Sequence, residues 1–185
     1  SYMDGKAILF KSERYGMRSH ASWGSQNDVF LAFLTQDAYD RYRLSPEDYA
    51  LQKELEKVKP EKKDEDGDKK AGDKKASGKK ADADSLKTLK IEFEGIADRI
   101  VRLTPNSSRL GDAIVSKDGE HHYYFSAFEG AIDLWKMDLR KHETKLLSKG
   151  GSGVLQMDKD GNLYALGSNM KKIEKGDKTT AITYR

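Results

Sequence analysis

The chain has 185 residues, 36% hydrophobic and 35% charged, with a formal net charge of +3 and no cysteine, which excludes a disulfide frame and a thiolate metal site. No apolar run approaches the roughly 18 residues needed to cross a bilayer. Of the 34 basic and 31 acidic residues, 12 and 10 lie between Lys53 and Lys87, leaving 22 against 21 elsewhere, so a basic nucleic-acid face is not expected on the remainder.

The opening SYMDGKAILF lacks the basic region, long apolar region and small-residue cleavage site of a signal peptide. It begins almost on a strand, as a piece of a longer polypeptide would. Residues 1–36 are read as a first partial blade. AILFKS follows Asp4-Gly5 and NDVFLAFL follows the SHASWGS loop, giving two strands whose opening companion is missing.

Residues 37–58 are read as an inserted helical segment. Ser45 is a good N-cap, Pro46 suits the first helical position, and Glu47 and Asp48 complement the positive end of the helix. Asp48, three residues after Ser45, comes close to a capping box. Tyr49, Leu51 and Leu55 supply a thin apolar stripe, so one short, marginal helix is expected, fraying before Pro60. From 59 to 87 Lys alternates with Asp and Glu among Gly, Ala and Ser, with no aromatic residue. Such a tract buries too little apolar surface to offset the entropy of ordering it, and reads as a disordered linker.

Residues 88–108 bring the chain back through KIEFEG to a last strand in RIVRLT. Residues 109–150 form a second unit: AIVS, the turn at Asp118-Gly119, HHYYFSA, AIDLWKMDL, the polar turn RKHE and TKLLS. Residues 151–185 supply a third in GVLQMDKDG, NLYALGS, MKKIEK and TAITY. Gly119 and Gly161 are 42 residues apart, within the roughly 40–45 residue period of a four-stranded propeller blade. Each Asp-Gly pair closes a hairpin because Gly tolerates positive φ and Asp hydrogen-bonds its local backbone. The aromatic run after Gly119 is apolar on both faces, as a strand sandwiched between sheets must be. The expected fold is all-β: about three four-stranded antiparallel blades of an incomplete, open β-propeller, with one short helix and a disordered insertion in the first. Three blades cannot close a ring, so unsatisfied faces are expected at both ends.

GKAILFKSERYGMRSHASWGSQNDVFLAFL, KIEFEGIADRIVRLTPNSS, GDAIVSKDGEHHYYF and DLWKMDLRKHETKLLSK, in that order, resemble the propeller region of the tricorn-like serine peptidases, relatives of the tail-specific or C-terminal-processing peptidases. The resemblance implies propellers that admit and guide peptide or unfolded-protein substrates, followed by a PDZ domain and a catalytic core with the serine nucleophile. It also implies a bacterial periplasmic or other extracytoplasmic setting, with the cytoplasm as alternative. No catalytic position of that core has a counterpart in these residues. The expected role is a non-catalytic scaffold and substrate-access segment; the alternative is a TolB-like interaction module without protease activity.

The candidate substrate-contact residues are Ser19, His20, Ser22 and Trp23. Ser and His lie close together there, but no G-x-S-x-G elbow surrounds them, and Trp23 suits pinning the loop to the blade. His121 and His122 are adjacent on a strand and point to opposite faces, so they do not chelate one ion together. No metal or cofactor is expected, and Trp135, Met137 and Leu139 read as one apolar strand face.

Overall fold

The computed structural model describes residues 5–18, 24–58, 90–128, 130–167, 169–174 and 176–183. The tract expected to be disordered, 59–87, lies outside them. Among the described residues the chain is mostly β, arranged as three antiparallel sheets in sequence order.

The first sheet contains β1 (Ala7–Ser12), β2 (Asp28–Phe33) and β3 (Ile100–Arg102), in that order. The second contains β4 (Leu110–Val115), β5 (His121–Ser126), β6 (Asp133–Asp138) and β7 (Thr144–Ser148). The third contains β8 (Gly153–Met157), β9 (Leu163–Gly167), β10 (Lys171–Ile173) and β11 (Thr179–Ala181). Each sheet is a meander in which every strand pairs with the next, and none closes on itself. The three Asp-Gly turns behave alike: Gly5, Gly119 and Gly161 have φ of 85°, 72° and 84°, the left-handed region where a Cβ is costly.

Two helices, rather than the single one expected, occupy the insertion between β2 and β3: α1 (Gln36–Arg43) and α2 (Pro46–Val58). α2 starts where local chemistry predicts. The Asp48 N–H donates to Ser45 Oγ at 3.1 Å and Ser45 Oγ donates to Asp48 Oδ2 at 2.8 Å. α1 has few apolar residues, but Thr35 Oγ1 caps its N-terminus by accepting from the Ala38 N–H at 3.3 Å. Ala38 and Tyr42 then enter the core against Phe33, whose ring lies 5.0 Å from that of Tyr42.

Among the described residues, the return segment holds no strand before Ile100. Lys90–Phe93 are irregular and Ile96–Arg99 form a 3-10 turn, and β3 stops at Arg102, short of the Thr104 end read from RIVRLT. The buried Arg99 guanidinium replaces a ladder there, donating to the carbonyls of Phe33 (3.3 Å), Glu94 (2.8 Å) and Glu92.

The sheets pack face to face. One core joins Ala7, Val29, Leu31, Phe33 and Leu103 of the first sheet and its flanks to Val115, Tyr124, Met137 and Leu139 of the second. Another joins Tyr123, Phe125 and Leu134 of the second sheet to Leu155, Leu163, Ala165 and Ile173 of the third. The middle sheet is therefore covered on both sides, and β5 buries five of its six residues. The sheets are also tied at their edges: Asp112 Oδ2 on β4 accepts from the Leu155 N–H on β8 at 2.9 Å, and Lys11 Nζ donates to Gly111 O at 2.9 Å.

Candidate functional site

One end of the stack gathers the Asp-Gly turns, the helical insertion, and the β6–β7 and β10–β11 turns. Antiparallel pairing puts them there: β5 and β9 run away from the Asp-Gly end, β6 and β10 run back to it. Between the Asp118-Gly119 and Asp160-Gly161 turns lies a cleft of about 320 Å³, with Lys117, Asp118, His121, Tyr123, Lys136 and Lys159 on its walls. Lys117 Nζ donates to Lys159 O at 3.2 Å, so equivalent triplets 42 residues apart meet across the sheet boundary.

Lys117, Asp118 and Lys136 of the cleft are each engaged by a neighbour. Asp177, held at φ 65° in the β10–β11 turn, accepts from Lys136 at 2.7 Å and Lys145 at 3.2 Å. Burial pushes its carboxyl pKa up, but the two ammonium donors outweigh burial and leave it below the usual carboxylate value. Asp118 behaves similarly: burial raises it, and donation from Ser116 Oγ and the Glu120 N–H lowers it on balance. Burial lifts the Tyr123 phenol to about 12, so it is a neutral donor at physiological pH.

Ser116 Oγ donates to Asp118 Oδ1 at 2.5 Å and accepts from the His121 backbone N–H at 2.9 Å. Its hydroxyl thereby organises the turn. Asp118, Glu120 and His121 bring three potential metal-ligand atoms within 4.8 Å of one another. The Lys53 ammonium already forms an ion pair with Glu120, and its hydrogen bond to that carboxylate raises the lysine pKa.

The helical insertion docks beside this end through Arg140, which follows β6. The Arg140 guanidinium donates to Arg41 O at 2.7 Å and to Tyr42 O, both in the last turn of α1. It also lies 3.9 Å from the centroid of the Tyr49 ring on α2. One cation therefore satisfies carbonyls at the negative end of α1 while stacking on α2. An ion pair between Arg41 and Glu56, at 2.5 Å, also joins the two helices. The expected apolar stripe on α2 is split: Tyr49 is buried, whereas Leu51 and Leu55 are exposed.

The proposed contact residues Ser19, His20, Ser22 and Trp23 lie outside the described residues. The flanking hairpin is described, and Arg18 bridges Ser25 across it. The adjacent histidines separate as strand alternation requires: His121 lines the cleft, while His122 is fully buried, stacked 4.6 Å from the Tyr124 ring. The cleft itself escaped sequence reasoning, although its signal was present in the repeated Lys-Asp-Gly at 117–119 and 159–161. No helix among the described residues is long and apolar enough to cross a membrane.

No protein-family model and no curated protein matches the chain. A solved chain described as "Crystal structure of the tricorn protease" is similar over 96% of this chain and 17% of that one, at 12% identity and a TM-score of 0.41. The chain thus spans less than a fifth of the length of that protein.

Proposed function

We propose that the chain is a sector of a β-propeller in a tricorn-like serine peptidase. In this reading it is a non-catalytic scaffold that guides peptide or unfolded-protein substrates toward a PDZ and catalytic core outside these residues. The observation that carries the propeller part is the stacking of successive meanders, each face to face with the next, with the first strands β4 and β8 close enough for Asp112 to reach Leu155. Radially arranged blades converge along their innermost strands in this way. The peptidase part rests on the sequence resemblance of the strand and loop segments quoted above. A cleft whose serine is engaged in a turn, and whose walls offer ammonium, carboxylate and phenol groups, fits a surface that contacts passing peptide without cutting it.

The test is peptide hydrolysis by the product of the complete natural reading frame and by the 185-residue chain alone. Hydrolysis by the first and none by the second is the expected result. Hydrolysis by the isolated chain overturns the non-catalytic role. A complete product that closes its ring without a serine nucleophile and cleaves nothing makes the chain a TolB-like interaction module.

A further inference from the structure

The first sheet has an apolar face that stays partly exposed among the described residues. Ala7, Val29, Leu31 and Phe33 point into the core shared with the second sheet, so their strand neighbours Ile8, Phe10, Phe30 and Ala32 point the other way. Ile100 joins them from β3, paired with Ala32. Ile8, Phe10 and Ile100 are 47%, 37% and 42% exposed. Phe30 is shielded chiefly by its own neighbours, with the rings of Phe10 and Tyr15 at 5.5 and 5.9 Å.

The second sheet shows what this face resembles. Leu34 N–H donates to Lys6 O at 2.8 Å as Leu139 N–H donates to Glu120 O at 2.8 Å. Ser12 pairs with Asp28 as Ser126 pairs with Asp133. This common register places Ile8 at the position of His122, Phe10 at that of Tyr124 and Phe30 at that of Trp135. In the second sheet those positions face the first sheet: His122 and Tyr124 have no exposed surface, and Trp135 packs against the shared core. Phe10 and Phe30 thus carry aromatic rings, at equivalent positions, on a face that is buried one sheet later. The opposite end of the stack differs. The outer side of the third sheet alternates Val154 and Leu166 with Gln156 and Lys172, and its Tyr164 hydroxyl donates to Asp158 Oδ2 at 3.2 Å.

The geometry points to a docking surface on the outer face of the first sheet, formed by Ile8, Phe10, Phe30, Ala32 and Ile100. Its occupant is a further four-stranded antiparallel sheet of the same polypeptide, presenting alternate aliphatic side chains as Ala7, Val29 and Leu31 do to the second sheet. This rests on the stacked-sheet part of the proposed function and is independent of the peptidase part.

Covalent footprinting of the complete natural product tests it, with Phe10 compared against the more exposed Phe93 of the return segment. The exposures of 37% and 76% give only about a twofold difference in labelling for an uncovered face. A packed sheet makes it about tenfold or more, and Phe10→Asp then lowers the unfolding midpoint of the complete product. A twofold ratio overturns the proposal, as does a natural product that contains no further sheet. Protection that grows with protein concentration also overturns it, assigning the face to a second copy of the chain. Peptide hydrolysis on the same preparation separates the two readings. Protection without hydrolysis leaves the docking surface standing and removes the peptidase; hydrolysis without protection does the reverse.

Discussion

His122 makes the stability of this protein sensitive to mild acid. The imidazole is fully buried between sheets, stacked on Tyr124, and neither ring nitrogen has a hydrogen-bond partner among the described residues. Burial lowers its pKa from 6.5 to about 3. The unfolded chain binds this proton near the ordinary imidazole value, whereas the folded chain resists it down to about pH 3. The stabilisation is therefore complete above the unfolded value and is lost as pH falls through the interval between the two. At about 1.4 kcal/mol per unit, the ceiling is about 5 kcal/mol, of which about 3 kcal/mol is lost by pH 4.5. Asp158, lowered to about 2 chiefly by the Asn162 side chain, loses its contribution only as pH falls below the ordinary carboxylate range. Between pH 6.5 and 4.5 the histidine therefore dominates, with Glu56 and Glu92, both lowered from 4.5 by their hydrogen-bond donors, contributing only at the acid end. His122→Phe keeps a ring on Tyr124 and removes two unpaired nitrogens, so urea denaturation at pH 7 is expected to show a gain of about 1–3 kcal/mol. The same variant is expected to flatten the dependence between pH 6.5 and 4.5. Parallel slopes for parent and variant, or an NMR titration of His122 near its ordinary value, refute the reasoning.

Arg140→Ala is expected to release the helical pair, with faster hydrogen exchange across 36–58 and a loss of about 2–4 kcal/mol from carbonyl and ring contacts together. Arg140→Lys is expected not to restore protection, because an ammonium lacks the planar fork that serves two carbonyls and stacks on a ring. Asp28 is fully buried and accepts from Thr104 Oγ1 at 2.8 Å, Ser107 Oγ at 2.7 Å and Arg102. Asp28→Ala leaves the Thr104 and Ser107 hydroxyls without their acceptor and the exposed Arg102 without its partner, and is expected to cost about 1–3 kcal/mol in chemical denaturation. Gly119→Ala forces a Cβ into positive φ and is expected to cost about 1 kcal/mol or more in the same assay.

Much of the fold is local and so could be read without coordinates. The second and third sheets have strands in the four runs expected of each, because alternating apolar residues between turn sequences have one economical way to pair. The Asp-Gly turns adopt positive φ because glycine alone does so freely. α2 begins at Pro46 because Ser45 and Asp48 satisfy each other and the helix end within four residues. The Thr35 cap of α1 is a local signal, but its apolar content is thin, and the helix gains its stability by placing Ala38 and Tyr42 against Phe33. Leu51 and Leu55 satisfy the helical period yet remain exposed, since α2 is held instead by Tyr49 beneath Arg140 and by Lys53 on Glu120. The cleft depends on Lys117 meeting Lys159 across two sheets, and the outer face of the first sheet is recognisable only by its equivalence to the covered face of the second. Short-range periodicity, turn chemistry and capping determined where strands and the second helix lie. Which faces are buried, which charges meet and which apolar surface is left uncovered were decided by the stacking of sheets, because those contacts join residues tens of positions apart whose spacing no local pattern encodes.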